Sequence, residues 1–309
     1  MGMISILIPV FNYDIASLVT GLQQAVKDIK EYDEIIIGAD GCSDNYIGMY
    51  EALSKLDKVS LLVSEDNVGR ATIRNMLADK ASGDYLLFID ADALIQGNPK
   101  DYLTRWLENY KTAPVVCGGT DYHKTPPDNP DKYLRWHYGY YNEKKSLKKR
   151  RKRPYSTFSG FNFLIESQIL NKFKFNEELK KYGHEDTLFA YQLKKAGINL
   201  EHIDNSLIHD GLESNRDYVL KTRDSISNLN ILYDKVTDKR TFASIVKLLR
   251  NYRRLRLLGI TRLLSYIYRK RQRRIEIMLR STKCSLRIFK IYKLGLFCYH
   301  RYNIEYSES

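Results

Sequence analysis

The 309-residue sequence is poor in cysteine and proline, with four of the first and seven of the second, and it has no long uncharged apolar run. Cys42, Cys117, Cys284 and Cys298 form no Cys-x-x-Cys pair and stand at no zinc-finger spacing from a histidine, which excludes a disulfide-stapled fold and a structural zinc knot. No apolar stretch approaches the ~18 residues of a membrane-spanning helix. Residues 1–20 lack the basic start, apolar stretch and small-residue cleavage site of a secretory signal. The expectation is a cytoplasmic protein with reduced thiols. A content of 43% hydrophobic and 12% aromatic residues argues against wholesale disorder, and the length suits one large α/β domain with a smaller appendage.

Acidic charge is scarce in one place only. From Lys247 to Ser309 there are 17 Lys and Arg against three acids, a net of +14, whereas the whole chain carries +13 and residues 1–246 therefore sum to −1. Within that first part Lys144, Lys145, Lys148, Lys149, Arg150, Arg151, Lys152 and Arg153 place eight cations in ten positions. The remainder is an acidic body. Like-charge runs of this kind either meet an anionic surface or stay solvated.

The first 120 residues read as repeated strand-then-helix units. Ile4–Val10, Glu34–Ala39, Val59–Ser64 and Tyr85–Asp90 have strand length and β-branched enrichment, and helical spacing links Ile15 to Ile29 and Ala71 to Ala81. Such alternation predicts a mainly parallel sheet covered by helices on both faces, with ligands bound beyond the carboxyl ends of the strands. Those ends read Pro9-Val10-Phe11-Asn12, Asp40-Gly41-Cys42-Ser43-Asp44, Asp66-Asn67-Val68-Gly69-Arg70 and Asp90-Ala91-Asp92. Further on come a Pro-containing loop, an aromatic stretch with Tyr133, Trp136 and Tyr140, apolar patterning at Phe158–Ile165, a helix over Asp186–Ala196, and an extended piece Ile198–Ile208 ending at His209.

In an extended segment residues two apart point the same way, so Asp90 and Asp92 would approach one centre. Two adjacent carboxylates need a cation or a proton between them, and hard oxygen ligands suit Mg²⁺ or Mn²⁺. The alternative is a turn with solvated aspartates. Arg70 and Arg74 lie near the start of the following helix, where a guanidinium would grip a diphosphate, or would simply be surface arginines.

IPVFN at 8–12, ADGCSD at 39–44, NVGRATIRNMLADKASGDYLLFIDAD at 67–92, FSGFNFLI at 158–165 and GHEDTLFAYQLKKAGI at 183–198 together resemble, in order and separation, the family 2 glycosyltransferases of the GT-A fold, over about residues 3–210. The resemblance implies an inverting transferase that moves a sugar from a nucleoside diphosphate to a glycan or lipid-linked acceptor of a bacterial surface polysaccharide. On it, Asp90 and Asp92 form the family's DxD, with Asp92 the direct ligand of a divalent cation, Mn²⁺ or Mg²⁺. Pro9, Phe11 and Asp40 line the nucleoside pocket, Asn67 and Arg70 lie beside it, and Arg74 reaches the phosphates. His209 aligns with a histidine that completes the metal site in some relatives, against the reading of a satisfied hydrogen-bonder at a strand end. Asp186 matches the catalytic base, with Glu185 orienting the acceptor or supporting the loop, against the reading of two acids that merely begin a helix. Ser159, Gly160 and Asn162 shape the acceptor side, and His184, Trp136 and Tyr140 are set against a reading as core residues. A UDP-sugar is the first donor to consider, although Ala39 stands where the family commonly has a second aspartate, which leaves the base open.

The expected division is a GT-A domain over 1–215 and a basic helical region over 216–309. Residues 242–301 alternate apolar residues at helical spacing with Lys and Arg, which fits amphipathic helices at an anionic leaflet, peripheral on the inner face of the cell membrane and near a polyprenyl-linked acceptor. A helical cap on the transferase or on a partner subunit is the competing reading. A nucleic-acid-binding protein would explain the basic tail but not the acidic strand ends, so nucleic acid is disfavoured; a nucleotidyltransferase would need a triphosphate substrate.

Overall fold

The computed structural model describes residues 2–178, 183–282 and 284–304. Ten strands carry the framework: β1 Ile4–Val10, β2 Tyr32–Asp40, β3 Val59–Ser64, β4 Tyr85–Ile89, β5 Ala93–Leu94, β6 Val115–Cys117, β7 Thr120–Asp121, β8 Asn162–Glu166, β9 Leu200–His202 and β10 Leu207–His209. Seven of them form one sheet in the order β3-β2-β1-β4-β8-β6-β9, and β5-β10-β7 form a small second sheet. In the large sheet only β8 runs against its neighbours. The fold is thus the mainly parallel α/β arrangement expected.

Burial on both faces follows from the period of two along a strand. Ile4, Ile6, Ile8 and Val10 of β1 enter one apolar cluster with Val19, Leu22, Leu103 and Trp106, while Leu7 enters the other with Leu77, Phe88, Phe163 and Phe189. The helices Ala16–Val26 and Pro99–Leu107 supply the first cluster and Arg70–Lys80 and Glu185–Lys195 the second. Phe88 and Phe163 stack across β4 and β8 with ring centres 4.9 Å apart.

Strand order places the chemistry. The chain builds outward from β1 to β2 and β3, then returns to β4 on the other side of β1. At that reversal the loops after β1 and β4 diverge and open a crevice at the carboxyl ends. Because β8 is antiparallel, with Asn162 opposite Ile89, its first residues reach the same rim.

The chain divides into two compact units. The first comprises Met1–Tyr122, Lys144–Lys180 and Leu188–Gly211; the second comprises His123–Glu143, Lys181–Thr187 and Leu212–Ser309. This differs from a single cut at 215, because the aromatic stretch and the segment with Glu185 and Asp186 go with the carboxyl-terminal helices. Those helices are Asn215–Lys235, Lys239–Ile245, Lys247–Leu257, Ile260–Arg280 and Leu286–Ile304. Tyr218, Phe289, Tyr292 and Leu279 are buried among them. No helix among the described residues is long and apolar enough to cross a membrane.

Candidate active site

At the end of β2 the Asp40 carboxylate is held by backbone. Its Oδ1 accepts from Val68 N at 2.6 Å and its Oδ2 from Gly69 N at 3.1 Å, while Asn67 Nδ2 donates to the Asp40 carbonyl at 3.2 Å. Burial raises the Asp40 pKa, and the two N–H donors only partly oppose this. Gly41 sits at φ +65°, and a Cβ there would run into the backbone of Asp66 and Asn67, so this position needs glycine. Asn12, also left-handed at φ 45°, accepts from Ser43 N at 2.9 Å and ties the loop after β1 to the loop after β2. Pro9 is half-buried in β1, whereas Phe11, Asn67 and Arg70 are exposed, Phe11 to 54%.

The Asp90–Asp92 segment departs from expectation. It is a turn, closed by Ala93 N donating to the Asp90 carbonyl at 3.0 Å, and the two carboxylates meet different partners. Asp90 Oδ1 accepts from Arg74 Nη2 at 2.8 Å, and the same nitrogen donates to the Gly160 carbonyl at 3.3 Å. Arg74 is 1% exposed with its guanidinium 5.5 Å from the centre of the Phe175 ring. The arginine placed at the phosphates by resemblance therefore lies inside, bracing the turn from below.

Asp92 has its Oδ2 3.4 Å from His209 Nε2. β5 and β10 bring the two together: His209 pairs with Ala93, and Asp210 N donates to the Asp92 carbonyl at 3.0 Å. The imidazole lies between Tyr122 and Phe161, with ring centres 5.6 and 5.4 Å away and planes tilted by 22° and 29°. Gly211 packs so closely on Asp92 that a Cβ would come within 2.5 Å of its Cβ. Tyr13, on the opposite lip, has its pKa raised first by burial and then by the charges of Asp92, Asp210 and Asp14. Asp210, Gly211, Tyr13, Tyr122 and Phe161 escaped the sequence reading. His209-Asp210-Gly211 at a strand end was the available signal; the ring pair closes only in three dimensions.

No three His, Cys, Asp or Glu side chains converge on one point among the described residues, so Asp90, Asp92 and His209 are not assembled as a triad. Asp92 and His209 are the two that could hold a divalent cation. One carboxylate and one imidazole leave the other positions to water or phosphate oxygens, as Mg²⁺ and Mn²⁺ prefer.

The remaining residues sort by burial. Asn162, 2% exposed, donates to the carbonyls of Gly119 and Asn205 and accepts from Tyr102 Oη, and so braces the core. Trp136, 5% exposed, belongs to the second unit, donates to the His123 carbonyl and stacks on Tyr140 with centres 5.4 Å apart; it fits a core aromatic. Glu185 and Asp186 open the helix Glu185–Lys195, Glu185 buried and Asp186 half-buried. They follow Gly183 and His184, both at positive φ, a conformation costly for histidine. Burial pushes the His184 pKa down to about 4, with Lys293 adding to it.

In fold the chain is similar to a mannosyltransferase of Pyrobaculum calidifontis, solved in complex with GDP-mannose and Mn²⁺, with a TM-score of 0.57 at 13% identity over 98% of this chain and 87% of that one. This is the GT-A architecture. The profile of glycosyl transferase family 2 matches residues 5–174, and the chain belongs to that family. Among curated relatives, an uncharacterized glycosyltransferase of Haemophilus influenzae is 35% identical over 31% of this chain, and glycosyltransferase GlyG of Streptococcus pneumoniae is 30% identical over 38% of it. In both cases the match spans 38% of the relative's own length.

Proposed function

We propose that the protein is an inverting glycosyltransferase that takes its sugar from a nucleoside diphosphate and passes it to a hydroxyl of a glycan or a polyprenyl-linked acceptor in surface polysaccharide synthesis. The observation that carries this reading is the rim at the strand reversal, where the backbone-held Asp40, the turn bearing Asp92, and His209 line one edge of a family 2 sheet. Pro9, Phe11 and Asp40 would receive the nucleoside, with Asn67 and Arg70 beside it. Arg70, exposed at the start of its helix, takes over the phosphate role first given to Arg74. Arg74 would brace Asp90, and Asp92 would serve the cation.

Asp92 and His209 would hold a divalent cation, whose charge, when bound, stabilises the departing nucleoside diphosphate. Asp186 would accept the proton of the attacking acceptor hydroxyl, and Glu185, buried beside it, would fix the first turn of that helix. The donor is a UDP- or GDP-sugar; the solved mannosyltransferase of like fold holds GDP-mannose with Mn²⁺.

The test is a panel of radiolabelled UDP-, GDP- and dTDP-sugars incubated with protein and Mn²⁺, scored for transfer to lipid-extract or glycan acceptors and for slow release of free sugar. Sugar released or transferred from one donor class supports the reading. Consumption of a nucleoside triphosphate with a sugar phosphate, and of no nucleotide sugar, would replace it with nucleotidyl transfer.

A further inference from the structure

Among the described residues the two most exposed large apolar side chains, Leu257 and Leu258, lie together at one helix junction of the second unit. Helix Lys247–Leu257 ends at Leu258 and Gly259, the latter at φ +71°, and Ile260–Arg280 begins at once. Leu257 is 90% exposed and Leu258 69%. Ile260, Leu263 and Ile267 follow at spacings of three and four and so share one helical face. Arg253, Arg254, Arg256 and Arg262 flank this junction, and Arg269, Lys270, Arg271, Arg273 and Arg274 continue along the second helix, all exposed. No acid occurs from Lys247 to Ile275. Glu276 is buried, where it accepts from Arg223 at 2.6 Å and from Arg280 at 3.3 Å.

We propose that this junction inserts into the headgroup region of an anionic lipid bilayer, with Leu257, Leu258, Ile260 and Leu263 entering the acyl boundary and the flanking arginines binding lipid phosphates. Charge complementarity selects the occupant. A surface with nine exposed cations and no exposed acid between Arg253 and Arg274 calls for a dense anionic partner. Nucleic acid supplies the charge but gains nothing from four aliphatic side chains turned outward at a tip, and Tyr266, 53% exposed, offers it a single ring to stack on along this helix. A bilayer interface rewards both, taking an apolar face to a depth of about 5–10 Å and drawing Lys and Arg to anionic headgroups. The apolar pattern of the sequence spreads this contact over 242–301. Phe242, Ile245, Leu249, Tyr252, Leu279, Phe289 and Phe297 are buried in the second unit, and the most exposed apolar pair left outside is Leu257 and Leu258, with Ile277, Met278 and Ile291 exposed further along. The inference stands apart from sugar transfer, since vesicle binding and donor turnover are read separately.

Flotation of the full chain with vesicles of pure phosphatidylcholine, or with 30% phosphatidylglycerol added, is the test. At least tenfold stronger binding to the anionic vesicles, weakened by 0.5 M salt, is expected. Leu257→Glu with Leu258→Glu should lower that binding at least tenfold with circular dichroism and melting temperature unchanged, both sites being exposed. In Leu258→Trp, brominated lipid should quench the fluorescence of the introduced indole. Equal binding of the glutamate variant and the parent, an introduced indole that brominated lipid leaves unquenched, or tight single-stranded RNA binding without flotation would each overturn the proposal.

Discussion

The site of the first unit and the basic stretch of the second handle charge differently. Around the site two cations turn inward: Arg74 pairs with Asp90, and Arg150, in the middle of the eight-cation block, is 5% exposed and donates to the Ile203 carbonyl at 2.8 Å. In the basic stretch Glu276 is buried under Arg223 and Arg280, and the cations from Arg253 to Arg274 lie outside. An ion buried with its partner fixes local geometry, since separating the pair strands a charge in a poorly polarisable interior. Exposed ions of one sign have no such bracing role, and the proposals above assign them to ligands: anionic lipid for the cations of the second unit.

The largest effect that would sharpen this contrast is on turnover. Asp186→Asn should lower sugar transfer about 10²–10⁴-fold while donor binding, measured by equilibrium dialysis, stays within a factor of two. Unchanged turnover would remove Asp186 from the chemistry and leave it as a helix-opening acid, favoured there by the helix dipole.

Next in size is a stability comparison between an inward and an outward arginine. Arg74→Met strands the mostly buried Asp90 and should cost about 3–5 kcal/mol in urea unfolding. Arg253→Met, at an exposed position, should cost less than about 0.5 kcal/mol. Equal costs would erase the distinction between bracing and displayed charge.

The smallest expected effect is a pH slope. His202 is fully buried, and burial pushes its pKa down to about 4; the Pro154 carbonyl opposes this and Arg150 adds to it. The hydrogen-bond network assigns the neutral ring with its proton on Nε2, facing Pro154 O at 3.1 Å, and Nδ1 facing Arg150 Nη1 at 3.2 Å. Unfolded chains therefore bind the second proton, the one that charges the ring, more tightly than folded ones. Stability from His202 is complete above about pH 6.5 and is lost as pH falls towards 4. His202→Gln should flatten the fall of melting temperature over that window, and an unchanged slope would assign the acid sensitivity elsewhere.

Local pattern determined much of the framework. Ile4–Val10 and Val59–Ser64 have the bounds their apolar runs predict, and the helix read over Asp186–Ala196 spans Glu185–Lys195. These segments are long or strongly periodic, so local preference and burial agree. The site was legible as a set of strand ends and illegible as geometry. Asp-Ala-Asp reads equally well as strand or turn, and only the pairing of β5 with β10 decides for the turn and hands Asp92 to His209. Spacing could not tell Arg74 or Arg150 from a surface cation, because what buries each is distant in sequence: Phe175 and Gly160 for one, His202 and Ile203 for the other. Ile198–Ile208, read as one extended piece, is two short strands on different sheets.

Calorimetric titration with UDP and GDP, with and without Mn²⁺, is the most direct check on the rim. Binding of one diphosphate should strengthen at least tenfold with the metal, and that gain should vanish in both Asp92→Asn and His209→Ala while metal-free binding persists. A metal-dependent gain that survives in both variants would show that the cation sits elsewhere, and the Asp92–His209 pair would lose its place at the centre of the chemistry.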